Sequence, residues 1–290
     1  MMNKVTIIGM GLIGSSLAHN IKTHQFANTL IAADVNSDVC QKVIELELAD
    51  YVTDELGKSV EDSDMVILCV PVGAMEGVAK TISKHLKEGA ILTDVGSAKG
   101  DIAKAVAPHL PDTVHFVPAH PIAGTEFSGP EAGFLALFQD RWSILTPLPD
   151  TSIKAVEHVT KLWEMCGSKV EIMDPEHHDL VLGITSHLPH LIAFTIVGTA
   201  NDLEDDIKSE VIKFSASGFR DFTRIAASDP TMWRDVFLNN KDAVLEILQR
   251  FNEDLTAMQR AIRKGDGEYL YERFNETRAI RKAIIDEGQA

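Results

Sequence analysis

His120 is the residue in this chain best placed to move a proton. It lies in Ala119-His120-Pro121-Ile122-Ala123-Gly124-Thr125-Glu126, directly after the short apolar run His115-Phe116-Val117-Pro118. Pro121 disfavours the α conformation at His120, and Gly124 permits sharp backbone turns. The histidine is therefore expected on a non-helical loop at the end of a strand, where an imidazole exchanges protons near neutral pH. Ser97, in Thr93-Asp94-Val95-Gly96-Ser97-Ala98-Lys99-Gly100, leaves the preceding apolar run and brings a hydroxyl to the same edge. Taken alone, Ser97 would serve equally well as an N-cap for a helix at Ile102 or as a turn residue.

Two downstream segments add ligand-binding groups. Ser186-His187-Leu188-Pro189-His190 sets two histidines around a proline, at a helix start or kink. With His177 and His178 upstream this spacing raises a metal site, but the zincin glutamate is missing, so no metal is expected. Gly218-Phe219-Arg220-Asp221-Phe222-Thr223-Arg224-Ile225-Ala226 joins two arginines to a carboxylate. On a helix, Asp221 and Arg224 would be neighbours three apart, and a surface ion pair is the default reading.

What gives His120 a partner in chemistry is the start of the chain. Gly9-Met10-Gly11-Leu12-Ile13-Gly14 follows the apolar run Val5–Ile8 and precedes a helix near Ser15. Gly9 allows the tight turn, Gly11 lets backbone approach a pyrophosphate, and Gly14 lets helix and strand pack closely. The helix N-terminus then offers N–H groups and a favourable dipole to phosphates. Asp34 follows twenty residues after Gly14, at the end of the next apolar run. A carboxylate there accepts from the adenosine ribose and repels a 2′-phosphate, so NAD is favoured over NADP. A hydride carrier beside a proton acceptor is the pairing of a dehydrogenase.

The elements that must position these groups follow from the hydrophobic pattern. Val5–Ile8, Leu30–Ala33, Met65–Val70, Ile91–Val95 and His115–Val117 read as buried parallel strands, with Ile144–Thr146 and Val170–Met173 as two more at an edge. Helices are expected between them at Ser15–Lys22, Val39–Leu48, Ala74–His85 and Ile102–His109. The alternation gives an α/β, Rossmann-like doubly wound parallel sheet over residues 1–173. From 174 to 290 the pattern is all-α. Val244, Leu248, Phe251, Leu255, Met258 and Ile262 form a helical seam, Gly265 is a stop, and Tyr269–Ile285 is a further helix. Such a seam is buried within its own domain or against a second subunit, and a homodimer through the helical domain is expected.

Composition narrows the class. The 290 residues are 45% hydrophobic and 24% charged, with 27 Lys and Arg against 43 Asp and Glu and a formal charge of -16. That acidity argues against a nucleic-acid partner. The N-terminus lacks the long apolar region of a signal peptide, and no apolar run approaches the ~20 residues needed to span a bilayer. Cys40, Cys69 and Cys166 are widely spaced and form no metal pattern. A cytoplasmic protein with no membrane partner is expected.

Assembled, these motifs resemble the prephenate and arogenate dehydrogenase family of tyrosine biosynthesis across essentially the whole chain. The dinucleotide turn is shared with many enzymes; Asp94-Val95-Gly96-Ser97, His120 to Glu126, His187-Leu188-Pro189-His190 and Gly218 to Arg224 are far more specific in this order. The resemblance implies NAD-dependent oxidative decarboxylation of prephenate or arogenate, giving 4-hydroxyphenylpyruvate or tyrosine. It casts His120 as the proton acceptor, Ser97 as orienting the hydroxyl or the nicotinamide, and His190 and His187 as positioning the substrate. By the same resemblance Arg224 binds a substrate carboxylate, Glu126 pairs with Arg224 to gate the site beside Thr125, and Trp233 lines the side-chain pocket. A core tryptophan is nearly as good a reading of Trp233. Neither a fused chorismate mutase nor a C-terminal regulatory domain is expected. A 3-hydroxyacid dehydrogenase or imine reductase shares the architecture but leaves His120 and the Ser186–His190 run unexplained. A non-catalytic NAD sensor needs no proton acceptor.

Overall fold

The computed structural model describes residues 1–125, 127–202, 210, 213, 214 and 216–286. Six parallel strands, β1 (Met2–Ile8), β2 (Ala27–Ala33), β3 (Tyr51–Thr53), β4 (Met65–Leu68), β5 (Ile91–Asp94) and β6 (His115–Val117), form one sheet in the order β3-β2-β1-β4-β5-β6. This is the doubly wound order, with its switch point between β1 and β4. Helices α1 (Leu12–Thr23), α2 (Ser37–Glu45), α3 (Leu56–Ser59), α4 (Met75–Ile82) and α5 (Gly100–Val106) supply the crossovers, and α6 (Ile153–Met165) follows later in the chain.

Both faces of the sheet are covered, which is why its strands read as continuous apolar runs. In β4, Met65 and Ile67 join one core with Leu17, Ile21 and Trp163. Val66 and Leu68 point to the other face and join Met75, Ile82 and Phe116. The expected parallel strands thus stand, while β3 is too short to announce itself by periodicity.

Two further expectations are corrected. Ile144–Thr146 and Val170–Met173 do not extend the main sheet. They correspond to β8 (Trp142–Leu145) and β9 (Lys169–Ile172) of a separate sheet, in which β8 runs antiparallel to β7 (Ala119–Pro121). His120 therefore lies in a strand, opposite Ile144, and not on a loop. The chain leaves β6 at Pro118, which has no N–H to donate to a ladder, and turns onto β8. Pro118 accepts from Thr146 N–H at 2.9 Å, and Ala119 N–H is held by Asp94 Oδ1 at 3.3 Å.

After residue 174 the described residues are helical. Asp174 caps α7 (Pro175–Leu182) by accepting from Glu176 and His177 N–H. A π turn at Gly183–His187 leads into α8 (Leu188–Asn201). Pro189 lacks the donor for a bond four residues back, and the helix widens there instead of breaking. Then come α9 (Ser217–Thr223), a 3₁₀ turn at Arg224–Ala227 and α10 (Pro230–Asn239). The stretch Pro175–Asn201 is, by length and composition, apolar enough to cross a bilayer, which corrects the expectation that no such run exists. The sequence disguises it because His177, His178, Asp179, His187 and His190 interrupt the apolar residues.

By compactness the chain divides into Met1–Lys241 and Asp242–Ala290. The change from sheet to helix at 174 is not a break in packing, since α7 is bonded to the β5–α5 turn through Asp179, as described below. The second unit carries α11 (Lys241–Lys264) and α12 (Gly267–Asp286), separated by Gly265 at φ +68. Arg273 reaches Asp254 across this pair at 3.9 Å.

Candidate active site at the carboxyl edge of the sheet

The turn between β1 and α1 is shaped by its glycines. Gly9 has φ +95, and a Cβ there would lie 2.5 Å from the Cys69 carbonyl oxygen; one on Gly14 would lie 2.1 Å from the Gly9 oxygen. Around Gly11, at the N-cap of α1, no atom lies within 4 Å of a Cβ position. Backbone is thus open where a phosphate would approach, and Leu12 and Ile13 open the helix behind it. Asp34 holds the turn from the end of β2, accepting Met10 N–H and Asn36 N–H at 2.9 Å each. This cradle fits a dinucleotide, with Asp34 at the ribose end.

Beyond β5, a buried ion pair fixes the next loop. Lys99 and Asp94 are both wholly buried and joined through Nζ and Oδ2. Asp94 Oδ2 also accepts Gly96 N–H at 2.8 Å, and Lys99 Nζ donates to the Ala119 carbonyl at 2.7 Å. Lys99 occupies the N-cap of α5. Ser97 is therefore not the cap, and its half-buried hydroxyl has no hydrogen-bond partner among the described residues.

His120 is buried, and its Nδ1 lies 2.9 Å from His178 Nε2. His178 Nδ1 in turn lies 2.9 Å from Asp179 Oδ1. The Asp179 carboxylate also takes Lys99 N–H and Gly100 N–H, each at 2.8 Å. Burial holds both imidazoles below the ordinary histidine range; for His120 the neighbouring His178, Lys99 and His187 add to it, while Asp179 opposes it at His178. A carboxylate only accepts, so neutral His178 carries its proton on Nδ1 and offers Nε2 as acceptor. His120 then donates from Nδ1 and keeps a lone pair on Nε2.

A second imidazole is fixed in the opposite sense. The Asn240 amide donates to the Asp179 carbonyl at 2.8 Å and lies 3.0 Å from His187 Nδ1. His187 Nδ1 is thus the acceptor and Nε2 the donor, and that buried Nε2 has no well-formed hydrogen bond among the described residues. Burial pushes His187 down to about 4, and the Ser97 backbone lies close by. Trp233 is buried as well, with Nε1 unpartnered among the described residues. Its ring stacks on His190 at 3.6 Å between centroids and meets His187 edge-on at 6.1 Å. His190 donates from Nδ1 to the Ser186 carbonyl at 2.8 Å. Arg224, exposed at the start of its 3₁₀ turn, lies near enough to His190 to help lower it, after burial. Two unpartnered buried N–H groups each cost on the order of 1–3 kcal/mol unless a ligand oxygen meets them.

The structure thus gathers His187, His190, Trp233 and Arg224 together, beside His120 and Ser97. Thr125 is exposed and accepts Phe127 N–H at 3.3 Å; it lines a separate cavity of about 270 Å³ with Ile122, Phe134 and Arg141. Glu126 lies outside the described residues. Asp221 pairs with Arg220 at 3.3 Å. Sequence reasoning missed Lys99, Asp179 and Asn240, and read His178 only as a metal candidate. The one local signal was the pair His178-Asp179 at the start of a capped helix.

A dinucleotide cradle beside a buried imidazole with a free lone pair defines a dinucleotide-dependent oxidoreductase. Residues 17–172 match the family model of the prephenate dehydrogenase nucleotide-binding domain, and residues 174–276 that of the prephenate dehydrogenase dimerization domain. The chain is 42% identical to a cyclohexadienyl dehydrogenase of Zymomonas mobilis, over 97% of this chain and 95% of that one. It is 31% identical to a prephenate dehydrogenase of Bacillus subtilis, over 98% and 76% respectively. Its fold superposes on a prephenate dehydrogenase of Aquifex aeolicus, solved with hydroxyphenyl propionate and NAD+, with TM-score 0.91 and 36% identity over 98% of this chain and 99% of that one. The chain belongs to the prephenate dehydrogenase family and is an oxidoreductase with an NAD-binding domain.

Proposed function

We propose that this enzyme oxidatively decarboxylates prephenate, arogenate or both with NAD, yielding 4-hydroxyphenylpyruvate or tyrosine. The observation that carries the reading is His120, whose Nδ1 is committed to His178 and whose Nε2 alone can take a proton. NAD, when bound in the Gly9–Gly14 cradle, accepts the hydride from the ring carbon bearing the 4-hydroxyl. As carbonyl character develops at that carbon, His120 Nε2 accepts the hydroxyl proton and lowers the barrier. Carbon dioxide leaves from the opposite carbon, its bonding pair completes the aromatic ring, and His120 returns the proton to the oxygen. Ser97 orients the hydroxyl or the nicotinamide.

The substrate's carboxylates match the donors around Trp233. Arg224 supplies a planar bidentate contact, and His187 Nε2 and Trp233 Nε1 offer unpartnered N–H groups. His190, held flat on Trp233, positions the ring or side chain. By family resemblance Thr125 and Glu126 are substrate-binding residues. Asp34 selects NAD over NADP.

We assign residues 1–173 to dinucleotide binding and 174–290 to substrate binding and dimerisation. A homodimer is supported by the matched dimerization model and by exposed apolar side chains at Ile184, Ile196 and Val197 on the Pro175–Asn201 stretch and at Leu255 and Ile262 on α11. Full-length similarity to biosynthetic dehydrogenases supports a cytoplasmic location. NADH production from prephenate and arogenate, assayed side by side, identifies the substrate. His120→Asn should cut turnover roughly a hundredfold or more with NAD affinity intact; unchanged turnover would sink the role of His120.

A further inference from the structure

We propose that Asp179 and His178 form a positioning relay that fixes the tautomer of His120, so that Nε2 is always the free base. The proposal rests on the assignment of His120 as the proton acceptor and deepens it. Its basis is geometric. Asp179 Oδ1 lies 2.9 Å from His178 Nδ1, and His178 Nε2 lies 2.9 Å from His120 Nδ1. The direction of donation is set at one end only, because a carboxylate cannot donate. Each imidazole then has one protonated and one bare nitrogen, and the order propagates to His120.

The anchor is itself held on every side. Asp179 Oδ1 receives Lys99 N–H as well as His178, Oδ2 receives Gly100 N–H, and its own carbonyl receives Asn240. The bonds of Asp179 run to the β5–α5 turn, to His178 and to Asn240. The relay also assists once His120 is protonated. Its Nδ1–H can then be drawn toward His178 while the carboxylate at the far end balances the charge, as in any base oriented by a third group. His178 and Asp179 touch no substrate atom in this scheme and act through His120.

The test reads the tautomer directly. In enzyme labelled with ¹⁵N-histidine, the His120 ring signals are identified by their loss in His120→Asn. The wild type should show His120 protonated on Nδ1. In Asp179→Ala no acceptor remains for His178 Nδ1, the order is no longer imposed, and His120 should show a mixture of tautomers with protonation on Nε2 while kcat falls at least tenfold with KM for NAD unchanged. His120 staying wholly protonated on Nδ1 in that variant, or kcat within threefold of wild type, overturns the proposal. Should Asp179→Ala fail to fold, His178 decides the matter. His178→Gln keeps an acceptor for His120 and a donor for Asp179, and should lose less than tenfold in kcat. His178→Leu keeps neither and should lose a hundredfold. Equal kcat in two folded His178 variants refutes the relay. A fully active His120→Asn refutes instead the base assignment beneath it, and the two failures are therefore distinct.

Discussion

Lys99→Met should destabilise the protein by about 3–5 kcal/mol, the usual cost of stripping one partner from a buried ion pair. Lys99 and Asp94 are both wholly buried, so water does not replace the missing ammonium. Asp94 would keep its bonds from Gly96 and Ala119 N–H but lose its counter-charge, and the Ala119 carbonyl would lose the donor now at 2.7 Å. Methionine approximates the lysine stem in length and volume, so little of the loss comes from a cavity. Against the 5–15 kcal/mol of a typical domain this is a large fraction, and on the order of 10 °C in Tm. Urea unfolding followed by circular dichroism measures it, with the slope checked for constancy. Asp94→Asn combined with Lys99→Met removes the stranded charge, and the double variant should be more stable than Lys99→Met alone by at least about 1 kcal/mol. A single variant within 1 kcal/mol of wild type, or a double variant no more stable than the single, would refute the reasoning.

Other expectations follow from the same geometry. With the neutral His120 imidazole as the proposed base, and burial holding it well below 6.5, kcat/KM should stay flat through pH 6.5 and decline only at more acid pH; a midpoint above 6.5 contradicts this. His187 titrates near 4 when folded and near 6.5 when unfolded, so the unfolded chain binds the extra proton first and stability drops as pH falls from 6.5 toward 4. At pH 5 this amounts to about 2 kcal/mol from His187 alone, and His187→Gln should flatten the corresponding fall in Tm between pH 7 and 5. Asp34→Asn should raise the KM for NAD about tenfold or more by weakening a charge-assisted bond to the ribose, and should narrow the preference over NADP; a wild-type preference for NADP would defeat that assignment.

Much of the architecture was legible in the chain itself. The runs Val5–Ile8 and Met65–Leu68 are apolar on both faces because both faces are covered, and that pattern is local. The Gly9–Gly14 turn is equally local, because close approaches at Gly9 and Gly14 exclude any side chain. Motif order singled out His120, Ser97, His187, His190, Arg224 and Trp233 as candidates. Strand β7 could not, since its three residues pair only with the distant β8 and have no periodicity of their own. Nor could the membrane-length stretch Pro175–Asn201, whose polar residues break the apolar run in sequence while the backbone continues helical through them.

The sequence by itself determined which groups are available: a dinucleotide cradle, a histidine suited to proton transfer, an arginine and a tryptophan. It could not determine how those groups are charged or oriented. That His120 offers Nε2 follows from His178, fifty-eight positions away, and from a carboxylate pinned by the β5–α5 turn. That Lys99 sustains the site from beneath, and that His187 is a donor, depend equally on contacts between distant elements. Residue type and spacing are local properties, whereas tautomer and burial are set by whichever neighbours the tertiary fold supplies.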